Sequence, residues 1–201
     1  MFNKFSYVCA VAALLSTNAH AQKATFDGLS IGLNTEFKST TVELAGAGNS
    51  IAGFGQQNTG VSVSADYGVS IGDRVVLLLG GKMDLVDATI LKIEVGNSSA
   101  TLKEKNHYSV FVAPGVILNN TTLGYVKLGW ETSNAVVDAS GLSDSQSYTG
   151  VGYGAGLRTH LNGGFYANIE AMRVVFDTKS FGASSTKTGS TLAAVGLTYK
   201  F

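Results

Sequence analysis

The sequence predicts an all-β fold, in which eight antiparallel strands close into an up-and-down transmembrane β-barrel. Three observations carry this expectation. Eight segments alternate apolar and polar residues with period two, the mark of a strand with two different faces. The connections between them alternate short and long. The composition favours long strands, with 25 glycines, a single proline and many Val, Leu, Ser and Thr residues. Beyond the N-terminus no apolar run approaches the roughly 18 residues of a spanning helix.

The first residues are set apart from the fold. Met1-Phe2-Asn3-Lys4 carries one positive charge, Val8 to Leu15 is a short apolar run, and Ala19-His20-Ala21 follows with small-x-small spacing. This pattern predicts a cleaved secretory signal peptide over residues 1–21 and a barrel domain over 22–201, beginning at Gln22. Cys9 stands at the start of the apolar run rather than after it, so it is not read as a lipid anchor. It leaves with the signal, and the mature chain has no cysteine for disulfides or thiolate–metal sites. The whole chain balances 14 basic against 14 acidic residues, with no basic stripe to bind nucleic acid.

The segments are taken in order. In 29–40, Leu29, Ile31, Leu33 and Phe37 share a face opposite Ser30, Asn34, Glu36 and Lys38. In 60–70, Val61, Val63, Ala65, Tyr67 and Val69 oppose Ser62, Ser64 and Asp66. In 74–87, Met83 and Leu85 oppose Lys82 and Asp84. In 108–118, Tyr108, Val110, Val112 and Val116 oppose Ser109, Phe111 and Ala113. In 123–133, Val126, Leu128 and Trp130 oppose Tyr125, Lys127 and Glu131. In 150–161, Val151, Tyr153, Ala155 and Leu157 oppose glycines, Arg158 and His160. In 165–176, Phe165, Ala167, Ile169 and Ala171 oppose Tyr166, Asn168, Glu170 and Met172. In 190–201, Ala193, Val195, Leu197, Tyr199 and Phe201 oppose Leu192, Ala194, Thr198 and Lys200.

Residues 71–74, 119–122 and 162–164 are short connections with turn chemistry. Residues 41–59, 88–107, 134–149 and 177–189 are long and rich in Ser, Thr, Gly and Asn. In the longest, Ile90, Ile93 and Val95 mark a hairpin extending beyond the membrane. Tight turns on one side and long loops on the other are the pattern of barrels in the bacterial outer membrane. A secreted sandwich would also alternate. It would not need strands of about 10–12 residues, close to the ~9–11 of a tilted membrane strand. Nor would its solvent face carry so many glycines beside charges of both signs. Those charges, Glu36, Lys38, Asp66, Lys82, Asp84, Lys127, Glu131, Arg158 and Glu170, are expected to pair inside a narrow lumen. Eight strands leave only enough room there for side chains. Phe37, Tyr67, Tyr108, Trp130, Tyr153, Phe165, Tyr199 and Phe201 lie near segment ends on the apolar face, as interfacial girdles do.

The last segment, with Val195, Leu197, Tyr199 and a terminal Phe201, resembles the C-terminal signal of bacterial outer-membrane proteins. The resemblance implies insertion by the β-barrel assembly machinery. The whole chain from Gln22 resembles the eight-stranded OmpA/OmpX-type barrels, the opacity or "porin family" group of Gram-negative cell envelopes. The sequence stops at Phe201, so the peptidoglycan-binding domain of full-length OmpA-type proteins is not expected.

The remaining chemistry is sparse. His160 is expected as a lumen histidine beside the 162–164 turn. His107-Tyr108-Ser109 is similar to the His-x-Ser pair of small-barrel lipid A deacylases. That chemistry needs a lipid-facing serine and an acid to orient the histidine. Ser109 falls on the inward face, and no acid is evident at a suitable strand position. No metal or cofactor set is seen. The glycine run 150–156 is not a nucleotide fingerprint; its inward glycines are expected to make room for Tyr166, Met172 and Phe111. With Leu161 set against Phe165 across the 162–164 turn, Arg158 faces Asn168, so Arg158 and Glu170 are expected as diagonal neighbours on adjacent strands, forming a polar plug. The reading is a non-enzymatic structural or surface barrel, whose partners are outer-membrane lipid, lipopolysaccharide and loop-bound surface ligands. A small-solute pore through the same charges and a lipid A-modifying enzyme are the alternatives.

Overall fold

The computed structural model describes residues 25–46, 49–95, 98–139, 142–181 and 184–201. The signal peptide expected over 1–21, with its cleavage before Gln22, lies outside the described residues.

The strands are β1 (Gly28–Gly46), β2 (Asn49–Ser70), β3 (Val75–Asp84), β4 (Ala88–Val95), β5 (Ser98–Asn119), β6 (Thr122–Ala139), β7 (Leu142–Asn162), β8 (Phe165–Phe176), β9 (Lys179–Phe181) and β10 (Ser184–Lys200). Neighbours pair in the order β1-β2-β3-β5-β6-β7-β8-β10, and β10 pairs back onto β1. All of these pairings are antiparallel. The ring therefore has eight places. β4 pairs with β5 and β9 with β10, so the two short strands prolong the paths of β3 and β8. Among the described residues of the membrane band, closure leaves no strand edge unpaired, which lipid requires.

The residues expected on the lipid face are on the outside. Leu33, Phe37, Met83, Val110, Val126, Trp130, Tyr153, Ile169 and Leu197 are all about half exposed. Aromatic groups close both rims of this band, and Phe165, Tyr199 and Phe201 stack edge-on at the short-turn side. That side is periplasmic by the loop-length rule. Gly72 and Gly163 take positive φ there, a conformation that suits glycine in tight turns.

Two expectations are corrected. The long connections are for the most part not loops. β1, β2, β5, β6 and β7 run to 18–22 residues, about twice the ~9–11 that cross a bilayer. Period-two hydrophobicity arises only where one face meets lipid. Beyond the band both faces meet water, the alternation fades, and backbone pairing continues regardless. The second correction concerns the β7–β8 turn. Arg158 faces Asn168 as expected, but Phe165 faces Asn162 rather than Leu161, because a one-residue irregularity falls between His160 and Asn162.

Candidate functional site

The inward set of each strand fills the lumen in three zones. At the periplasmic end the filling is apolar. Val76 and Leu78 of β3, Ala113 of β5, Leu123 and Tyr125 of β6 and Tyr166 of β8 pack around Phe26, which precedes β1. Phe26 is 2% exposed and its ring lies 5.7 Å from that of Tyr166. The Tyr166 hydroxyl donates to the Thr25 carbonyl, and Ser70 Oγ donates to Asp27 at 2.5 Å, fixing the segment that carries Phe26.

The middle zone is charged. Arg158 of β7 binds Asp66 of β2 with two parallel bonds, Nη1 to Oδ1 at 2.8 Å and Nη2 to Oδ2 at 2.7 Å. This is the bidentate geometry in which guanidinium and carboxylate match best. Beside it Lys127 Nζ donates to both oxygens of Glu170 at 3.0 and 2.9 Å. The Tyr125 hydroxyl donates to Glu170 at 3.1 Å. Lys127 also sits 4.0 Å above the Phe111 ring, a cation–π contact.

Further toward the outside, Lys82 Nζ and Ser62 Oγ donate to Glu36 Oε1 at 2.8 and 2.6 Å. Lys38 donates to Glu104 at 3.0 Å. Asp84 lies 3.6 Å from both Lys38 and Lys82. His107 Nδ1 is 2.8 Å from Asp84 Oδ2. Its Nε2 is 3.1 Å from Glu131 Oε2, off-line for a hydrogen bond, so that contact is electrostatic. Beside these charges, on the wall made by β8 and β10, lies a second apolar cluster of Met172, Val174, Phe176, Leu192 and Ala194, with Tyr148 against it. Thr40 and Ser190 share a hydrogen bond at 3.0 Å beside it.

All nine charges singled out from the sequence point inward, but the one pairing named among them is not formed. Arg158 and Glu170 do not pair with each other. In the ring, β2 and β7 are four places apart in either direction, so Arg158 and Asp66 meet across the diameter. Glu170 is taken by Lys127, two places away. Cross-strand rules see only adjacent strands. A barrel this narrow brings opposite walls within reach of long side chains.

Two network members were not anticipated. Glu104 and His107, buried at 5% and 2% exposure, lie in the long connection 88–107, outside the eight alternating segments. Both face inward although they are three residues apart, because β5 advances three residues while β6 advances two between the Lys105–Asn134 and Tyr108–Thr132 pairs. Asn106, with φ of 51°, forms this bulge. No period-two count carries across it.

Two further corrections concern the histidine motif and the glycines. Acids are present beside His107, namely Asp84 and Glu131. Ser109 is inward and buried, and among the described residues no hydrogen bond joins it to His107. His160 is partly buried, bonded to the Gly163 carbonyl at 2.9 Å, with its ring tilted against that of Tyr166. The glycines of β7 make room for Met172 at Gly154, as expected. At Gly152 and Gly156, however, they admit Glu131 and Tyr125. The space under Phe111 is given by Gly80.

A family model described as the outer membrane protein beta-barrel domain matches residues 8–201. No curated protein matches the chain in sequence. Among solved structures, the outer membrane protein OprG from Pseudomonas aeruginosa is similar with a TM-score of 0.53, at 14% identity over 88% of this chain and 97% of that one. The outer membrane protease OmpT from Escherichia coli is similar with a TM-score of 0.52, at 6% identity over 90% and 99%. Ail, the attachment invasion locus protein of Yersinia pestis, was solved with the heparin analogue sucrose octasulfate. It aligns at 17% identity over 85% and 99%, with a TM-score of 0.47. At such identities the likeness is one of fold.

Proposed function

The chain belongs to the family of outer membrane proteins with a β-barrel domain and sits in the outer membrane of a Gram-negative cell, and from that premise we propose that it is a closed-lumen surface barrel. Its strands anchor it in the envelope, its polar hairpins stand outside the cell to meet surface ligands, and its interior passes no solute. The observation that carries this reading is the Arg158–Asp66 pair spanning the lumen diameter above the Phe26 floor. The cavity left in that charged zone is about 30 Å³, room for one or two waters. A solute path would have to part the bidentate pair and displace Phe26. Neither the proposal nor the likeness to OmpT, which is one of fold, assigns a reaction to this chain.

Planar-bilayer recording on the refolded full chain tests this. The expected record is baseline current across the voltage range. Steady unitary conductance in the unmodified protein would replace the proposal with a small-solute pore.

The proposal includes assembly. Val195, Leu197, Tyr199 and Phe201 all face lipid at the end of β10, presenting an apolar and aromatic row to the β-barrel assembly machinery. Phe201→Asp is expected to lower the amount of folded protein recovered from outer membranes. An unchanged yield would remove Phe201 from that role.

A further inference from the structure

The lipid-facing wall carries a furrow of about 830 Å³. It runs between two rows of outward side chains. One row is Val112, Leu128, Tyr153, Arg173 and Thr191, each directly across from the next. The other includes Leu77, Pro114, Ala155 and Ala171. The furrow crosses the strands and therefore climbs with the barrel's stagger. Leu77 lies two residues into β3, Val126 four into β6 and Arg173 eight into β8. Its lower end is thus near the periplasmic turns and its upper end near the outer rim. From β3 to β8 it crosses four strand spacings, about 19 Å. Half of a ~30 Å hydrocarbon core is about 15 Å, so the upper part of the furrow, below Arg173, is long enough for a chain of the outer leaflet.

Arg173 stands at the upper end, the cation among the furrow's outward side chains. Its neighbour across β7 is the girdle residue Tyr153, which places the guanidinium where headgroups begin. Nη1 donates to Thr191 Oγ1 at 2.8 Å, and the group lies over Gly189, where a side chain would collide with it. Among the described residues no carboxylate pairs with Arg173. An arginine has five donors in a fork suited to phosphate. One is used on Thr191, and that bond aims the rest.

We propose that this furrow is a binding site for a phosphorylated glycolipid of the outer leaflet, of the lipid A class, with Arg173 on a phosphate and an acyl chain laid down the furrow toward Leu77. Polarity supports this occupant. The charge is at the outer end and hydrocarbon lies below it, the orientation of an outer-leaflet lipid and the reverse of an inner-leaflet one. The site rests on the barrel's place in the outer membrane and is independent of whether the lumen conducts.

Native mass spectrometry of the refolded full chain in detergent tests it with three probes: bisphosphorylated hexa-acyl lipid A, the same lipid after phosphatase treatment, and phosphatidylethanolamine. The unmodified chain is expected to retain one lipid A about tenfold more tightly than the dephosphorylated lipid, the worth of one charge-assisted bond. Arg173→Gln should remove that preference, and Arg173→Lys should keep part of it. Ala171→Leu should weaken both lipid A forms by filling the furrow. Arg74→Gln, at a periplasmic turn, should change nothing. Equal retention of all three lipids by the unmodified chain overturns the proposal, as does an Arg173→Gln variant that keeps the phosphate preference. A dimer lost in Ala171→Leu would assign the furrow to a second copy and also overturn it. Conductance recorded on the same preparation separates the two readings, because a conducting barrel that still prefers phosphorylated lipid A fails only the closed-lumen reading.

Discussion

The floor and the middle of the lumen close the same tube by opposite means. Around Phe26 the filling is hydrocarbon, and side chains from β3, β5, β6 and β8 converge on one residue from outside the strands. Around Arg158 the filling is charge, and its bonds run across the diameter or between strands two places apart. The difference teaches what each zone tolerates. An apolar floor loses stability in proportion to the volume removed and leaves no charge behind. A buried ion pair adds little over a well-packed apolar pair, yet losing one partner strands the other in a site that cannot hydrate it.

The largest expected effect follows from that asymmetry. Arg158→Ala or Asp66→Ala alone should cost about 3–5 kcal/mol, and the double variant no more than either single. Urea unfolding of refolded protein in detergent would measure this. Glu170→Ala should show only weak coupling to Arg158, since its bonds go to Lys127 and Tyr125. Additive losses for Arg158 and Asp66 would dissolve the contrast between the zones.

In the floor, Leu123→Ala should cost about 3 kcal/mol through the cavity it leaves. Its loss should add to that of Asp66→Ala without coupling. Strong coupling would mean that the two zones form one cooperative unit rather than two.

The smallest effect is expected at the boundary with the second apolar cluster. Ser190→Ala removes the hydroxyl partner of Thr40 and should cost about 1 kcal/mol. A loss as large as that of Arg158→Ala would show that the second cluster, like the charged zone, depends on a single polar contact.

Within the lipid band the strands were legible because each has one wet face and one greasy face. Ser30 and Glu36 turn inward while Ile31 and Phe37 turn out, as the alternation of β1 requires. Outside the band that signal vanishes. The strand character of residues 41–46 and 134–139 was therefore missed; the hairpin within 88–107 was legible from Ile90, Ile93 and Val95, but not the inward places of Glu104 and His107. Phe26 was invisible for a different reason, since a residue ahead of the first strand belongs to no alternating set.

What the sequence by itself determined is the face on which each band residue lies, and hence the inward placement of the nine charges. A side-chain period of two is a local property of extended backbone, and lipid imposes the apolar half of it. Only the closed ring decided who meets whom. Arg158 finds Asp66 and leaves Glu170 to Lys127 because the lumen diameter is shorter than the combined reach of the opposing side chains. The Asn106 bulge turns His107 between Asp84 and Glu131 in the same way. Distance across a closed sheet depends on strand number and stagger, which no single strand encodes.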